Sequence, residues 1–337
     1  MVAVVSESAT RPTIPKRMFI TGALGFMGGR LAKRYREAGS EVSGVDVRSA
    51  PRLGVVAGDL TTRGSWEEAA GGAELVIHTA ARIGLRGDGE GFWRVNVLGT
   101  RHALDAAARA GAQRFVHFSS IVAFGFDIPR DVDEHHPVRP NGVPYVDSKV
   151  ASEQVVLQAQ AAGEVACTIV RPGDVYGPGS YFWTITPVRE LAARRLVLPA
   201  MGRGKISPVY VDDVVEGVTL AAAHERAIGQ VFTLSGGHDV EARDFCGRYA
   251  RMLGKGRVPV APTPVVVLIA AVIDRAARLR GSTIEVTPAA VRYFARRGTY
   301  SIEKARSVLD YRPSVDLDEG MRRCEEWLRA EGLIGRR

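Results

Sequence analysis

Cysteine is scarce in this chain. The three cysteines, Cys167, Cys246 and Cys324, stand far apart and form no C-x-x-C pair. This usage excludes a disulfide framework and a structural zinc site, and it indicates a reducing compartment, so we predict a cytoplasmic protein. Other metal-ligand side chains cluster within residues 131–136, in one contiguous run that lacks the ligand spacing of a helix or hairpin. We therefore predict no bound metal.

Long apolar runs are missing as well. The longest, Val265–Ile273, is about half the length needed to span a bilayer. Met1–Lys16 lacks the basic-then-apolar layout of a signal peptide and is interpreted as a flexible lead-in. The sequence thus predicts no stable membrane insertion. Docking on a membrane surface through Val265–Ile273 and its basic neighbours is an alternative.

Acidic residues are fewer than basic ones, which gives a formal net charge of +8 at pH 7. The basic residues are mostly scattered, and no Lys/Arg-rich run is interleaved with aromatics, so we predict no nucleic-acid partner. The densest segment, Asp274–Arg306, carries eight Lys/Arg against three Asp/Glu. We interpret it as solvated helix faces, with an acidic substrate or an anionic membrane surface as alternatives.

Runs typical of strands alternate with helical segments from Arg17 onward. Strands are predicted at residues 17–21, 41–46, 55–57, 74–78, 114–119 and 166–170. Helices are predicted at residues 28–38, 92–110 and 145–162. Since parallel strands joined by helices require right-handed crossovers, this order predicts an α/β fold with a Rossmann-type, doubly wound parallel sheet.

Three glycines follow the first strand and open the first helix, at Gly22, Gly25 and Gly28. Glycine allows a sharp turn and a close approach of backbone to a pyrophosphate, and the helix start supplies free N–H groups with a partial positive charge. The loop therefore predicts a dinucleotide site. The residues between the glycines that share this predicted contact are Leu24, Phe26 and Met27.

An acidic residue stands where such a site needs one. Asp46 ends the second strand, 24 residues after Gly22, and is placed to accept hydrogen bonds from both ribose hydroxyls. A carboxylate there repels a 2′-phosphate, so the predicted cofactor is NAD. Arg48, two residues further on, is placed to receive such a phosphate, which keeps NADP as the alternative.

A phenol and an ammonium group stand four residues apart at Tyr145 and Lys149. On a helix this spacing puts both side chains on one face. A free phenol has a pKa near 10, and a nearby cation favours the phenolate. We therefore predict that Tyr145 exchanges a proton with an alcohol or a carbonyl group, assisted by Lys149. The alternative is a solvent-exposed pair without a catalytic role on an amphipathic helix, which the upstream dinucleotide loop disfavours.

With these two sites the sequence resembles the extended short-chain dehydrogenase/reductase family, from Arg17 to about Gly332. The matching motifs are Thr21–Gly28, Gly58–Leu60, His78–Ala81, Val95–Thr100, Phe118–Ser120 with Phe124–Gly125, Tyr145–Lys149 and Arg171–Pro178. The resemblance implies an NAD-binding Rossmann domain over residues 17–171, to which later segments return. It also implies a smaller C-terminal lobe over residues 172–332, mainly for substrate, followed by a tail at 333–337.

Residue roles carry over from the resemblance position by position. It implies that Ser120 is the catalytic serine beside Tyr145 and that Lys149 holds the nicotinamide ribose. Asn96 is interpreted as structural support. Further cofactor contacts that the resemblance implies are Asp59, Leu60, Thr79, Ala80, Ala81, Pro172 and Val175. Substrate contacts predicted besides Ser120 and Tyr145 are Ile83, Asp174 and Tyr181.

The family contains dehydrogenases, epimerases and dehydratases, so membership alone does not decide the reaction. Dehydratases carry an Asp-Glu pair just after the catalytic hydroxyl residue, whereas this chain has Ile121 and Val122. The stretch Arg171–Pro178, with Asp174 where nucleotide-sugar epimerases commonly have Asn, is similar to the 3β-hydroxysteroid dehydrogenase and dihydroflavonol reductase branches. We predict reversible oxidation of a secondary alcohol on a hydrophobic, steroid-like small molecule.

Two alternatives stay open on the sequence. A nucleotide-sugar 4-epimerase would use the same groups with tightly bound NAD. A non-catalytic NAD-binding regulator is disfavoured by the intact Ser120, Tyr145 and Lys149. The resemblance also implies a homodimer that packs through the helices at 92–110 and 145–162.

Overall fold

The computed structural model describes residues 14–279 and 286–335. Residues 1–13 of the predicted lead-in and residues 336–337 of the predicted tail lie outside the described residues, as do residues 280–285 of the basic segment. No helix in the described ranges is long and apolar enough to cross a membrane.

Strands and helices alternate along the first half of the chain. The strands are β1 Arg17–Thr21, β2 Glu41–Asp46, β3 Val55–Ala57, β4 Leu75–His78, β5 Arg114–Phe118, β6 Cys167–Pro172, β7 Asp174–Tyr176, β8 Lys205–Ile206, β9 Pro208–Tyr210, β10 Val231–Leu234 and β11 Val240–Glu241. The helices are α1 Phe26–Glu37, α2 Gly89–Trp93, α3 Gly99–Arg109, α4 Pro144–Ala161, α5 Thr186–Ala192, α6 Val211–Ala223, α7 Ala242–Met252, α8 Thr263–Leu279, α9 Pro288–Phe294, α10 Glu303–Leu309 and α11 Leu317–Ala330.

Within the described residues, seven strands form one parallel sheet in the order β10-β6-β5-β4-β1-β2-β3. Its central strands are buried on both faces, as the run Leu75–His78 shows, because helices cover each side. The predicted Rossmann-type sheet is confirmed. The strand order reverses beside β1, so a crevice opens between the carboxyl ends of β1 and β4, where ligands bind in such sheets.

Three predicted boundaries need correction. α1 begins at Phe26 rather than residue 28, so Gly25 is its N-cap and the glycine loop is shorter than expected. The predicted helix 92–110 is α2, a π-helical turn at Arg94–Leu98 and α3 in succession. Strand β6 continues through Pro172 because its partner β10 supplies a ladder as far as Leu234.

Beyond β6 the chain builds smaller sheets and returns to the large one. β7 pairs with β9, β8 pairs with β11, and β10 completes the edge of the seven-stranded sheet. A separate core beneath these elements includes Tyr176, Phe245 and Tyr249. The division into a cofactor domain and a substrate lobe at residue 171 stays a prediction.

Candidate active site

The glycine loop leaves β1 and enters α1 through a tight turn. Gly22 has φ +69°, and a Cβ on it would lie 2.9 Å from the backbone of Ala80. A Cβ on Gly28 would lie 2.1 Å from the Gly22 carbonyl oxygen, so that glycine lets α1 pack against the strand end. Gly25 is exposed and provides no side-chain cap, which leaves N–H groups of the first helical turn available to an anion.

Asp46 lies beside this loop at the end of β2. One carboxylate oxygen accepts a hydrogen bond of 3.1 Å from the backbone N–H of Leu24. This contact holds the side chain against the glycine loop, and the other oxygen accepts a long hydrogen bond of 3.5 Å from the backbone N–H of Arg48. Arg48 is exposed two residues further on. The positions match those expected for a ribose contact and its neighbour.

The remaining predicted cofactor residues differ in their burial. Asp59 is exposed, and a hydrogen bond from the backbone N–H of Thr61, at 2.8 Å, lowers the pKa of its carboxyl. Leu60 is buried in the core under the sheet. Thr79 donates to the carbonyl oxygen of Thr21 at 2.7 Å, which ties β4 to β1 at the crevice. The half-buried members of this set are Ala80, Ala81 and Val175, whereas Pro172 is buried.

Tyr145 and Lys149 lie on the first two turns of α4. The helix begins at Pro144, which suits its first turn because proline needs no N–H partner there. Ser120 follows β5 and caps a short helical turn, its Oγ accepting from the N–H of Val122 at 3.3 Å. The structure brings the Ser120 and Tyr145 side chains together as hydrogen-bond partners. Sequence spacing and sheet topology thus converge on one site.

The electrostatics of the pair differ from the sequence expectation. Burial raises the pKa of Tyr145 to about 12, although the hydrogen bond to Ser120 acts against this rise. Burial also lowers the pKa of Lys149 to about 8, against the attraction of the Glu153 carboxylate. The amino group of Lys149 donates a hydrogen bond of 2.6 Å to the carbonyl oxygen of Phe118. We expected the cation to favour the phenolate, but desolvation dominates and Tyr145 is a neutral phenol at physiological pH.

Asn96 supports the site from the π-helical turn. Its side-chain oxygen accepts from the N–H of Arg82 at 2.7 Å, and its nitrogen donates to the carbonyl oxygen of Arg82 at 3.0 Å and to Ser148 Oγ at 2.9 Å. It therefore joins the loop after β4 to α4, one residue before Lys149. This agrees with the structural role that we predicted for Asn96.

A buried ion pair that the sequence analysis did not predict lies one turn beyond Lys149. Arg171 donates to both carboxylate oxygens of Glu153, at 2.9 and 2.7 Å. Ser119 donates to the same carboxylate. The spacing of four residues from Lys149 to Glu153 on one helix face was a signal that could have revealed it. The partner on β6 could not have been read from local sequence.

Apolar and aromatic side chains surround the phenol of Tyr145. The Phe92 ring lies 6.0 Å from the Tyr145 ring, and Tyr293 lies 5.3 Å from Phe126, centroid to centroid. The other members of this cluster, which we call the aromatic cluster, are Leu85, Val122, Val143, Val146, Trp183, Ala289 and Phe294. The groups that would exchange a proton with a substrate are thus held in an apolar wall.

Asp174 lies beneath this wall rather than at an open surface. Its carboxylate is fully buried, accepts from the Tyr293 hydroxyl at 2.5 Å and from the N–H of Ser207 at 2.7 Å, and pairs with Arg296. Burial raises the pKa of Asp174, and Arg296 acts against this rise. The predicted substrate residue therefore faces α9 and the residues after it, and two of its partners, Tyr293 and Arg296, lie more than 100 residues away, where no local pattern indicates them.

Two further predicted substrate residues are exposed. Ile83, in the loop after β4, has an exposed fraction of 52%, and Tyr181 has one of 50%. The Tyr181 ring packs edge-on against Phe182 at 5.2 Å. Both positions are open to solvent, and their contact with substrate stays a prediction.

A sequence model of the NAD dependent epimerase/dehydratase family matches residues 18–235. The chain belongs to that family. It is an NAD-dependent oxidoreductase of the extended short-chain dehydrogenase/reductase type, so the resemblance found in the sequence is confirmed.

Relatives of this family member span nearly its whole length. It is similar to a 3-beta-hydroxysteroid dehydrogenase of Mycolicibacterium neoaurum, with 30% identity covering 91% of this chain and 90% of the relative. It is also similar to a dTDP-glucose 4,6-dehydratase of Streptomyces antibioticus, with 29% identity covering 93% and 92%. The solved structure of DesIV, a dTDP-glucose 4,6-dehydratase of Streptomyces venezuelae with NAD and TYD bound, shares the fold at a TM-score of 0.77 and 22% identity, covering 94% and 98%.

NAD fits the residues that the structure presents for it. The uncapped start of α1 suits a pyrophosphate, and the Asp46 carboxylate beside it suits a ribose diol. The predicted cofactor NAD is confirmed by the family.

Proposed function

We propose that this family member interconverts a secondary alcohol and a ketone on an apolar, steroid-like small molecule. The observation that carries the proposal is that Tyr145, hydrogen-bonded to Ser120, is set in the aromatic cluster. An apolar wall favours a substrate whose only polar group near the reaction is the oxygen that reacts. The similarity to a hydroxysteroid dehydrogenase supports the same substrate class.

Each catalytic group has one task in this proposal. During reduction Tyr145 donates its phenol proton to the ketone oxygen and becomes the phenolate, and during oxidation the phenolate takes the proton from the alcohol. Ser120 holds the same oxygen. Lys149, whose amino group donates to the Phe118 carbonyl oxygen, binds the nicotinamide ribose. The chemistry that NAD supplies when bound is hydride transfer at the carbon.

Elimination chemistry is disfavoured by the residues after Ser120. Ile121 and Val122 are both buried aliphatic side chains and cannot transfer protons. They occupy the two positions at which the dehydratases of the family carry an acid and a base. The similarity to a dehydratase at 29% identity therefore supports a shared fold and cofactor. It does not support an elimination reaction by this chain.

A nucleotide-sugar epimerase is the second candidate. An exposed Asp174 would repel the diphosphate of such a substrate. The buried pairing of Asp174 with Arg296 removes that objection, because the carboxylate is buried beneath the aromatic cluster and its charge is compensated there.

A turnover screen tests both candidates. Purified protein is incubated with hydroxysteroids, aryl ketones and UDP-sugars, each with NAD(H) and NADP(H), and is followed by nicotinamide absorbance and by product NMR. We expect turnover of the apolar alcohols and ketones. The Tyr145→Phe variant should lose at least about a hundredfold in kcat and keep cofactor binding.

Tyr300→Phe is the matched control, because Tyr300 is another buried tyrosine whose hydroxyl has no partner within the described residues. It should keep turnover. Epimerised sugar without net cofactor turnover would replace the proposal by the second candidate. Cofactor binding with no turnover of any substrate class would favour a regulatory NAD-binding protein instead.

We also propose a homodimer through the helical segments 92–110 and 145–162. Trp93, Leu98 and Leu157 are exposed there, which is unusual for large apolar side chains. A two-fold contact would cover them. Size-exclusion chromatography with light scattering should give twice the chain mass, and a monomer would contradict the dimer.

A further inference from the structure

Helix α8 carries a continuous apolar face toward solvent. Helical spacing places these residues on one side of its 17-residue length, which corresponds to about 25 Å. Leu268 and Val272, at its centre, have exposed fractions of 67% and 63%. The exposed residues of this face are Val265, Leu268, Ile269, Val272, Ile273 and Leu279.

The opposite face of α8 is firmly packed. Val266 and Ala270 are buried against Val291 of α9. Asp274, also buried, lies 3.6 Å from Arg86 in the loop after β4. The exposed apolar face is therefore a fixed surface of a helix that is held to the fold on its other side, and it is too extensive for incidental exposure.

Exposed positive charge lies on α8 and on the segment that packs against it. Arg275 is exposed on α8, and Arg292 and Arg297 are exposed on α9 and just after it. None of the three guanidinium groups has a carboxylate within ion-pair distance in the described part of the chain. Apolar residues flanked by free arginines are typical of helices that lie in the headgroup region of anionic membranes.

We propose that α8 and these arginines form a docking face for an anionic lipid bilayer. A second copy of the chain fits this face less well, because a two-fold contact would bring like arginines against each other. Charge complementarity with anionic headgroups removes that conflict. The protein would lie on the bilayer through one helix, with the inner face of α8 still packed on α9.

The docking face adjoins the aromatic cluster. Arg86, bound to Asp274 of α8, follows Leu85, a member of that cluster. The Thr287 hydroxyl at the start of α9 donates to the Leu85 carbonyl oxygen at 3.4 Å. Docking would therefore bring the loop that borders the pocket to the bilayer, where apolar alcohols and ketones accumulate. This last consequence rests on the proposed function, whereas the docking itself does not.

Vesicle co-sedimentation of the full chain tests the docking without substrate. Vesicles of phosphatidylcholine with phosphatidylglycerol are compared with vesicles of phosphatidylcholine alone, at low and high salt. We expect binding to the anionic vesicles that weakens with salt. The variant Leu268→Asp/Val272→Asp should bind at least about tenfold more weakly. Leu53→Asp, which changes an exposed leucine between β2 and β3, should bind as the parent does.

Circular dichroism and thermal melting check the folding of Leu268→Asp/Val272→Asp and of Leu53→Asp. We expect both to fold, because the changed positions are exposed. Absence of binding to anionic vesicles, or equal binding by the double variant, overturns the docking face. A fall in oligomeric mass in the double variant, with no vesicle binding by the parent, would assign the face to a second copy and also overturn it. Turnover of a water-soluble ketone in the absence of vesicles reports on the proposed function separately.

Discussion

Arg171 and Glu153 form a buried, two-pronged ion pair directly beyond the catalytic face of α4. Both guanidinium donors reach carboxylate oxygens, at 2.9 and 2.7 Å, and the Arg171 guanidinium lies 4.5 Å from the centre of the Phe124 ring. The pair joins α4, strand β6 and the turn after Ser120. It thereby fixes the helix that carries Tyr145 and Lys149 relative to the sheet.

The Glu153→Gln variant should lose stability sharply. It leaves the Arg171 charge buried without a counter-charge, which costs about 3–5 kcal/mol in the free energy of unfolding. Urea titration followed by circular dichroism measures the loss. The double variant Glu153→Leu/Arg171→Met should recover most of it, because neither member of the pair is then left as a buried charge without its partner. If Glu153→Gln lowered the free energy of unfolding by less than about 1 kcal/mol, the pair would not be what holds α4 to the sheet.

Cofactor choice should depend on Asp46. Asp46→Asn keeps an acceptor for the Leu24 N–H but removes the charge that we propose binds the ribose diol and repels a 2′-phosphate. We expect the Kd for NADH to rise about tenfold and the preference over NADPH to fall by at least as much. Fluorescence titration with the two reduced cofactors measures both constants.

Arg48 supplies the control for that change. Adding Arg48→Ala to Asp46→Asn should remove any gain in NADPH affinity, because the exposed guanidinium two residues on is the group placed to receive the phosphate. An unchanged cofactor preference in Asp46→Asn would mean that the ribose is held elsewhere.

Ketone reduction should decline as the pH rises through about 8. Burial lowers the pKa of Lys149 to about 8, so its amino group is charged below that pH and neutral above it. Burial raises the pKa of Tyr145 to about 12, so the phenol keeps its proton throughout. If the Lys149 charge assists, kcat/KM for reduction falls about tenfold per pH unit above 8.

Steady-state rates with NADH between about pH 6 and 10 give this profile. Lys149→Met should abolish most of the rate. Lys255→Met, which removes another lysine bound to backbone carbonyls, should keep both the rate and the decline. A flat profile through pH 8 would show that the charge of Lys149 plays no part.

Asp174 should govern the pocket wall through Tyr293 and Arg296. Asp174→Asn leaves the buried Arg296 without its counter-charge, so we expect α9 to loosen and the KM for the ketone to rise more than kcat falls. Hydrogen exchange of residues 288–294, followed by mass spectrometry, should speed up. Tyr293→Phe, which removes one hydroxyl and keeps the charge pair, should have a smaller effect. Unchanged hydrogen exchange of residues 288–294 in Asp174→Asn would show that the pair of Asp174 and Arg296 does not stabilise α9.

Much of the fold and part of the site could be predicted from short-range patterns. The glycine loop, Asp46 and the pair Tyr145 and Lys149 depend on spacings within one turn, strand or helix. The parallel sheet follows from the alternation of strands and helices. Helix starts were less predictable: α1 begins at Phe26 because the chain turns at Gly22, which the glycine pattern alone does not fix.

By itself the sequence determined which motifs the chain carries: a glycine loop after the first strand, an aspartate at the end of the second, and a phenol four residues before an ammonium group. Tertiary structure alone decided how those groups are tuned and enclosed. Burial raises the pKa of Tyr145 to about 12, and Asp174 pairs with Arg296 across 122 positions of sequence. The reason is that spacing along a helix or turn is set by local backbone geometry, whereas desolvation and distant partners exist only once separate segments pack together.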